Sequence, residues 1–510
     1  MFELQYIGHA GWLIKNNNLK VLCDPWFSPD GAFLSSWFPF PNNNHLFASD
    51  LLFDLDFIYI SHAHEDHFDK WTLKHADRKT PILIPRFKDK TLLTELKKMN
   101  FDNIKEMCRA DSHHIKGIDI KIIEDEGFFD NDSCIMLDDG QDRVLNLNDC
   151  HIDFQDLKNL VGDIDLLLLQ SSSAIWWPCA YDYDSKTMKK NCKTKKNNIL
   201  KRTLQYSKVL NAKNVIPNAG PPIFIDDKNE YWNHNRRQHN PFVMMDDSVE
   251  YLNKNDIQSH LVIPGSTVNL SKSLISLEVN HKQVSQIYDN YDHYLTSYKS
   301  YIKNRISTPS ATHKETLQLI PKFAAQIKTL KKISKFYVDK IKFPILFDFK
   351  DLGKWVVDFS KEECFFKYID ESYNYSFVFE PDKVCLLFRD DSVDFEKYFL
   401  SLNFSCHREQ DEYNEYLFAL LKNFDTKRFM LSEQIYAQET NALDETYELV
   451  CKNGNKLDIK RYCPHKMVDL KKNGFINEDN ELVCPLHAWR FSLQTGECVN
   501  HSGQNNIFKK

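Results

Sequence analysis

Two short motifs near the C-terminus combine thiols with imidazoles at a spacing suited to a metal or an iron-sulfur cluster. They are Cys463-Pro464-His465 and Cys484-Pro485-Leu486-His487. Zinc accepts two cysteines and two histidines, but such sites usually pair C-x2-4-C with H-x3-5-H. The mixed order found here fits a [2Fe-2S] cluster in which one iron binds two cysteines and the other iron binds two histidines.

Residues 447–500 resemble a Rieske module, including His487-Ala-Trp-Arg-Phe and Thr495-Gly-Glu-Cys498 after the second motif. The resemblance implies that the cluster is bound by Cys463, His465, Cys484 and His487. Neither loop carries the additional cysteine of respiratory Rieske proteins, so the module is more similar to the ferredoxin and oxygenase branch. We therefore expect a lower-potential carrier that delivers single electrons to another site.

A second motif, Ser61-His62-Ala63-His64-Glu65-Asp66-His67, directly follows the apolar run Phe57–Ile60. Three imidazoles and a carboxylate at the end of a strand can converge on one or two metal ions such as zinc or iron. A surface histidine cluster without a metal is the alternative interpretation. The strand that precedes the motif favours a metal site.

The motif resembles the H-x-H-x-D-H signature of the metallo-β-lactamase fold. Gly8–Gly11, Cys23–Trp26 and the strand that ends at Asp149 are similar to other landmarks of that fold. The resemblance implies a catalytic metal site made by His62, His64, Asp66, His67 and Asp149. For His9 and Asp24, direct ligation and hydrogen bonding that orients the loops both remain open.

Two further histidine ligands are usual in hydrolases of this fold, and the stretches 125–130 and 215–220 lack them here. Losing ligands weakens the activation of a hydroxide between two zinc ions. Open positions on an iron are what O2 and substrate require, as in the two-His-one-carboxylate oxygenases. The histidines that could substitute for the missing ligands are His113, His114, His151, His234 and His239.

The pairing of the two modules resembles the CMP-N-acetylneuraminate hydroxylases, which join a Rieske module to a metallo-β-lactamase-like domain. The resemblance implies a Rieske-type non-haem iron monooxygenase with one or two irons at the first site. It would hydroxylate a small polar substrate with O2, such as a CMP-sialic acid. An external ferredoxin, cytochrome or NAD(P)H-dependent reductase would supply the electrons. The Rieske module comes last here and first in those enzymes, and the segment 170–178 replaces a Gly-rich one.

Three rival functions remain open from the sequence. The same machinery could act as an N-oxygenase on an amine. A zinc-dependent hydrolase or lactonase could carry the Rieske domain as a redox sensor, and it would work without a reductant. A non-catalytic electron-transfer protein would hold no metal at the first motif.

The surrounding pattern predicts an α+β protein. Short β-rich runs fill the first half of the chain, and helical periodicity follows from about residue 279 to 343. We predict a metallo-β-lactamase αββα sandwich at 1–275, a helical extension at 276–345, a small α+β domain at 346–428 and a small all-β Rieske domain at 429–510. In the third of these, strands are expected at Tyr375–Phe379 and Val384–Phe388.

Composition sets further limits. The chain has 510 residues, 42% of them hydrophobic, and a net charge of -7. This predicts several packed units, and it gives no electrostatic reason to bind nucleic acid or an anionic membrane. No apolar run reaches the ~18 residues of a membrane span, and no basic leader opens the chain. We expect a cytoplasmic protein with mostly reduced thiols. The lysine run 186–196 is expected to be a solvated face, with phosphate binding as the minority alternative.

Overall fold

The structure is a computed structural model of the chain. It describes residues 1–508 except 17–18, 48, 110, 126–131, 235–239, 308–309, 371, 390–392, 441–444, 452–453, 465–467, 485–488 and 501–505. The chain forms two compact units. The N-terminal unit comprises Met1–Glu126, Asp130–Ala174 and Lys189–Thr308, and the C-terminal unit comprises Ile175–Met188 and Pro309–Lys510.

The strands and helices of the first 303 residues alternate along the chain. The strands are β1 (Phe2–Gly8), β2 (Gly11–Asn16), β3 (Leu19–Cys23), β4 (Trp37–Phe38), β5 (Phe57–Tyr59), β6 (Ile82–Pro85), β7 (Ile104–Met107), β8 (Ser112–Ile115), β9 (Ile118–Glu124), β10 (Ser133–Asp138), β11 (Arg143–Asn148), β12 (Leu166–Gln170), β13 (Asn214–Asn218), β14 (Ile223–Phe224), β15 (Thr267–Ser271) and β16 (Leu274–Glu278). The helices are α1 (Lys70–Leu73), α2 (Thr91–Lys98), α3 (Phe154–Val161), α4 (Ser185–Val209), α5 (Met245–Asn253), α6 (His281–Tyr288) and α7 (Tyr291–Lys303).

Two sheets form the centre of the N-terminal unit. One has the order β16-β15-β1-β2-β3-β5-β6-β7, and the other has the order β13-β12-β11-β10-β9-β8. Tyr6 and Leu168 belong to the core between the sheets. Ile58 and Leu96 bury the outer face of the first sheet against helices, and Leu157 does the same for the second sheet. These layers are the αββα sandwich predicted from the sequence, and the α+β prediction is confirmed.

Buried β12 illustrates why the sequence folds this way. All five of its residues, Leu166–Gln170, are buried. A strand with a sheet partner on each side, a second sheet on one face and helices on the other has no solvated side, so its sequence is continuously apolar. Its parallel neighbours β11 and β13 place their carboxyl ends beside its own.

Loops of both sheets lie at the edge where the carboxyl ends of β11, β12 and β13 meet. β1 and β3 both run antiparallel to β2, and β5 runs parallel to β3, so the chain leaves all three at one edge. The Ser133 hydroxyl at the start of β10 donates to the Ser61 carbonyl at 2.8 Å. The Ala219 N–H after β13 donates to the His9 carbonyl at 3.0 Å. These bonds join the two sheets where the first metal motif lies.

The C-terminal unit contains a five-stranded sheet and two smaller ones. Its strands are β17 (Ile345–Asp348), β18 (Lys354–Val357), β19 (Phe365–Lys367), β20 (Tyr375–Phe379), β21 (Phe404–Arg408), β22 (Thr446–Val450), β23 (Lys456–Lys460), β24 (Phe475–Ile476), β25 (Glu481–Val483) and β26 (Arg490–Ser492). Its helices are α8 (His313–Ile333), α9 (Tyr337–Lys340), α10 (Pro381–Leu387), α11 (Phe395–Leu400), α12 (Glu415–Lys422), α13 (Thr426–Thr440) and α14 (Leu470–Asn473). The five-stranded sheet has the order β19-β18-β17-β20-β21.

One predicted strand of this unit is wrong. Tyr375–Phe379 is strand β20, but Val384–Phe388 falls in and just after helix α10. A short run of apolar residues that is buried on every side does not reveal its own periodicity. Pro381 at the start of α10 was the available signal, because proline favours the first turn of a helix. The predicted helical region is confirmed by α6, α7 and α8.

Candidate metal centre

The imidazole of His67 is held in a fixed orientation by a fully buried carboxylate. Its Nδ1 lies 2.9 Å from Oδ2 of Asp24, at the end of β3. Asp24 also accepts from the backbone N–H of Ser61 at 2.8 Å and from its hydroxyl at 2.6 Å. With Nδ1 donating to Asp24, the lone pair of Nε2 is left for a metal. These hydrogen bonds are the ones expected if Asp24 orients the loop, which is one of its two predicted roles.

Around Nε2 of His67 the structure gathers two carboxylates and a second imidazole. Oδ1 of Asp149 lies 3.6 Å from this nitrogen, and Oδ2 of Asp66 lies 3.9 Å from it. Nε2 of His9 is 2.9 Å from the same Asp66 oxygen. His9, Asp66 and His67 offer ligand atoms that all lie within 4.8 Å of one another. Two imidazoles and one carboxylate form the set typical of non-haem iron sites.

The charges of this cluster are strongly coupled. Burial alone would lower the pKa of His67, but the carboxylates of Asp66 and Asp149 raise it well above the usual value. Burial alone would raise the pKa of Asp66 and of Asp149, but His67 holds both below the usual value. Two buried carboxylates beside one imidazole require compensating positive charge.

His62 and His64 form a second pair beside this cluster. Nε2 of His62 lies 2.9 Å from Nδ1 of His64. Nδ1 of His62 lies 2.8 Å from Oδ1 of Asp132, which comes just before β10. The rings of His62 and His67 have centroids 4.2 Å apart. The five predicted metal residues are therefore brought to one place, divided between two neighbouring groups.

Left-handed backbone conformations concentrate at this edge. His9, Asp24, Asn148 and Ala219 have φ values of 51°, 38°, 49° and 49°. Each lies at the carboxyl end of a strand. Such conformations are unfavourable for residues with a Cβ and persist where the surrounding structure enforces them.

Several buried atoms of the cluster test whether a metal fits. Oδ1 of Asp66, Nε2 of His67 and Oδ1 of Asp149 are buried and have no hydrogen-bond partner among the described residues. Buried polar atoms normally have a partner, and a buried charge is normally paired or bound to a metal. Imidazole nitrogen and carboxylate oxygen are ligands that iron and zinc both accept. The donor set therefore fits a divalent metal ion.

The structure adds residues that the sequence left open. His9 joins the cluster directly; its position between Gly8 and Gly11 at the end of β1 was the available signal. Asp132 was not singled out, and no motif marks it. Of the five substitute histidines, His113, His114, His151 and His234 lie outside the metal-capable cluster found among the described residues, and His239 lies outside the described residues.

The predicted cluster ligands near the C-terminus are described only in part. Cys463 and Cys484 are buried in one hydrophobic core. The backbone N–H of Cys463 donates to the Val468 carbonyl, and that of Cys484 donates to the Trp489 carbonyl. His465 and His487 lie outside the described residues. Each cysteine thus makes a backbone bond to the residue five positions further along the chain.

Three family models match the chain. Residues 3–217 match the beta-lactamase superfamily domain, residues 319–438 match the Rv3818-like, SCP2-like domain, and residues 428–509 match the Rieske [2Fe-2S] domain. A protein of Mycolicibacterium smegmatis named as a Rieske 2Fe-2S iron-sulfur protein is 30% identical over 527 residues, covering 98% of each chain. The chain belongs to this family of Rieske 2Fe-2S iron-sulfur proteins. Its C-terminal region is accordingly a Rieske [2Fe-2S] domain, as predicted.

Two more distant similarities concern parts of the chain. The cytidine monophosphate-N-acetylneuraminic acid hydroxylase of Danio rerio is 29% identical over 159 residues, which is 29% of this chain and 25% of that protein. CmlA, a diiron beta-hydroxylase from Streptomyces venezuelae, is 15% identical with a TM-score of 0.36, covering 53% of this chain and 54% of its own. Among the described residues, no helix combines the length and apolarity needed to cross a bilayer.

Proposed function

We propose that this member of the family is an iron-dependent monooxygenase in which the Rieske cluster supplies electrons to non-haem iron at the N-terminal metal centre. One observation carries the proposal. A chain with a Rieske domain also contains a buried two-His-one-carboxylate set, His9, Asp66 and His67, in which Oδ1 of Asp66 and Nε2 of His67 have no hydrogen-bond partner among the described residues. A hydrolase has no evident use for a one-electron carrier.

The residues of the metal centre would have different roles. His9, Asp66 and His67 would hold one iron, with Asp149 as a further ligand, and His62 with His64 would offer a second metal position. Iron bound there would supply the activation of O2, which amino-acid side chains do not provide. Asp24 and Ser61 fix the His67 ring, and Asp132 contacts His62, so the chain holds the ligands in place. Burial of the carboxylates keeps competing water away.

The overall reaction must balance electrons. One oxygen atom enters a C–H bond of the substrate, the other leaves as water, and two electrons and two protons are consumed. A [2Fe-2S] cluster transfers electrons singly, so the domain with Cys463, His465, Cys484 and His487 would be reduced twice per turnover. The electrons would come from an external ferredoxin, cytochrome or reductase.

A CMP-sialic acid is the first substrate to test. The reason is the partial similarity to the Danio rerio hydroxylase, which covers 29% of this chain. Other small polar substrates, and an amine oxidised at nitrogen, are the alternatives that a substrate screen would distinguish.

Metal analysis of anaerobically purified protein, with EPR of the dithionite-reduced form, tests the proposal. The native protein should contain more than the two irons of the cluster, with little zinc, and should show the EPR signal of a mixed Cys/His-ligated cluster. D66N should lose iron but keep that signal, and C463S should lose the signal but keep the N-terminal iron. H114A, at an exposed histidine of the same unit, should behave as the native protein.

Oxygen consumption completes the test. Reduced native protein should consume O2 when substrate is added, whereas D66N and C463S should not. Zinc at the first site together with activity in the absence of reductant would favour the hydrolase or lactonase. An N-terminal site that binds no metal would favour a non-catalytic electron carrier.

A further inference from the structure

Arg202 is a partly buried cation that has no carboxylate partner among the described residues. It lies on α4 and is half-buried, and its Nη2 donates to Oε1 of Gln170 at 3.2 Å. Among the described residues it forms no ion pair and has no other hydrogen-bond acceptor. Arg408, which is also partly buried, pairs with Asp411 at 2.7 Å. A desolvated guanidinium held by one neutral amide is unfavourable on its own.

The strand register brings the contact made by Arg202 close to the cluster. Leu169, the residue before Gln170, pairs with Asn148 of β11, and Asp149 follows Asn148 directly. Oδ1 of Asp149 in turn lies 3.6 Å from Nε2 of His67. Burial lowers the pKa of the Arg202 guanidinium, and the negative charge of Asp149 opposes this shift.

Polar side chains surround the same strand ends. Gln170 is the last residue of β12, and the carboxyl ends of β11 and β13 lie beside it. Four residues at these ends are at least nine-tenths buried and carry side-chain atoms without a hydrogen-bond partner among the described residues: Asn148, Ser171, Ser173 and Asn218. Buried hydroxyl and amide groups without a partner inside the protein are available to hydrogen-bond a polar ligand.

We propose that Arg202 binds an anionic group of the substrate, a carboxylate or a phosphate, and so anchors the substrate beside Asp149. A guanidinium presents a planar fork of N–H donors that matches the oxygens of either group, and Nη2 uses only part of that fork. The neighbouring hydroxyl and amide groups would supply further donors. Calling the ligand the substrate rests on the proposed function, whereas anion binding by Arg202 does not.

The residues directly after β12 are all serines. Gln170, which contacts Arg202, is followed by Ser171, Ser172 and Ser173. Hydroxyl groups therefore lie next to the amide that holds the guanidinium.

Titration calorimetry and thermal melting of the iron-loaded, full-length protein test the proposal. The probes are inorganic phosphate and succinate, compared with chloride at equal ionic strength to remove screening effects. R202M should bind the preferred anion about ten- to hundredfold more weakly, as loss of a hydrogen-bonded charge implies. R202K should retain part of the affinity. K208M, at an exposed lysine of the same helix outside the lysine run 186–196, should match the native protein.

Gln170→Glu provides a second test that keeps the arginine. A carboxylate at this position would pair with Arg202 inside the protein, so Q170E should melt at a higher temperature and should lose its response to anions. This variant decides the question if R202M fails to fold. Phosphate and succinate separate the two anion classes, and binding of either one that depends on Arg202 supports the site.

Two results would overturn the proposal. One is a native protein that binds neither anion more tightly than chloride. The other is anion binding that is unchanged in both R202M and Q170E, as expected if the metal alone held the anion. Iron content and the EPR signal are measured on the same samples. Arg202-dependent anion binding in a protein without N-terminal iron would refute the proposed oxygenase and leave the anion site standing.

Discussion

Asp24→Asn gives a sharp test of how the metal centre is held. The carboxylate accepts three hydrogen bonds, two from Ser61 and one from His67 Nδ1. An amide of the same shape has one oxygen fewer. Its oxygen can still accept from the Ser61 backbone, and the serine hydroxyl can rotate to accept a proton. The Nδ1–H of His67 then faces the NH2 group of the asparagine, which cannot accept its hydrogen bond. If the imidazole instead carries its proton on Nε2, that nitrogen can no longer bind a metal.

The expected loss of stability follows from the number of hydrogen bonds that the substitution removes. One charge-assisted hydrogen bond is lost, which corresponds to about 1.5–3 kcal/mol of unfolding free energy for the metal-free protein. When the hydrogen-bond partner of a metal-binding histidine is altered, the site typically binds its metal about 10–100-fold more weakly. Chelator competition measures the N-terminal metal affinity, and urea denaturation measures the stability. The matched control is Asp119→Asn, at an exposed carboxylate of the same unit that pairs with His114.

Metal affinity within about threefold of the native value would refute the reasoning, because the expected loss is at least about tenfold. It would mean that packing of the His67 ring, which is fully buried, is sufficient to orient it. Loss of affinity in the Asp119→Asn control would instead show a general effect of surface charge.

Two further substitutions test the framework around the sites. Gly220 has a φ of 119°, and a Cβ there would lie 2.9 Å from the Cβ of Ser172, so G220A should lower the free energy of unfolding by about 1–3 kcal/mol. G140A, with a φ of 80° and no atom within 4 Å, should cost less in the same denaturation assay; equal losses would exclude the steric explanation. The buried Glu433 carboxylate accepts from the backbone N–H groups of residues 335–337, and E433A should destabilise the C-terminal unit by about 2–4 kcal/mol in urea denaturation. An unchanged midpoint would show that water replaces the carboxylate.

Much of the fold could be predicted because the patterns were long or chemically specific. The β-rich runs of the first half became the two sheets, and the helical periodicity after residue 279 became α6, α7 and α8. The strand predicted at Val384–Phe388 was wrong because a short apolar run that is mostly buried fits a strand or a helix equally well. The domain boundaries stay predictions, as do the roles of the site residues.

The sequence by itself determined which donor atoms the protein offers: the thiols and imidazoles of the Rieske motifs, and the histidines and aspartates after β5. Ligand chemistry depends on residue type and short spacing, which a sequence displays directly. Only the tertiary structure decided that His9 joins Asp66 and His67, that Asp24 contacts His67, and that Arg202 contacts Gln170 at the end of β12 without a carboxylate partner among the described residues. These contacts join residues far apart in the chain, and they form because parallel strands of two packed sheets end at the same edge.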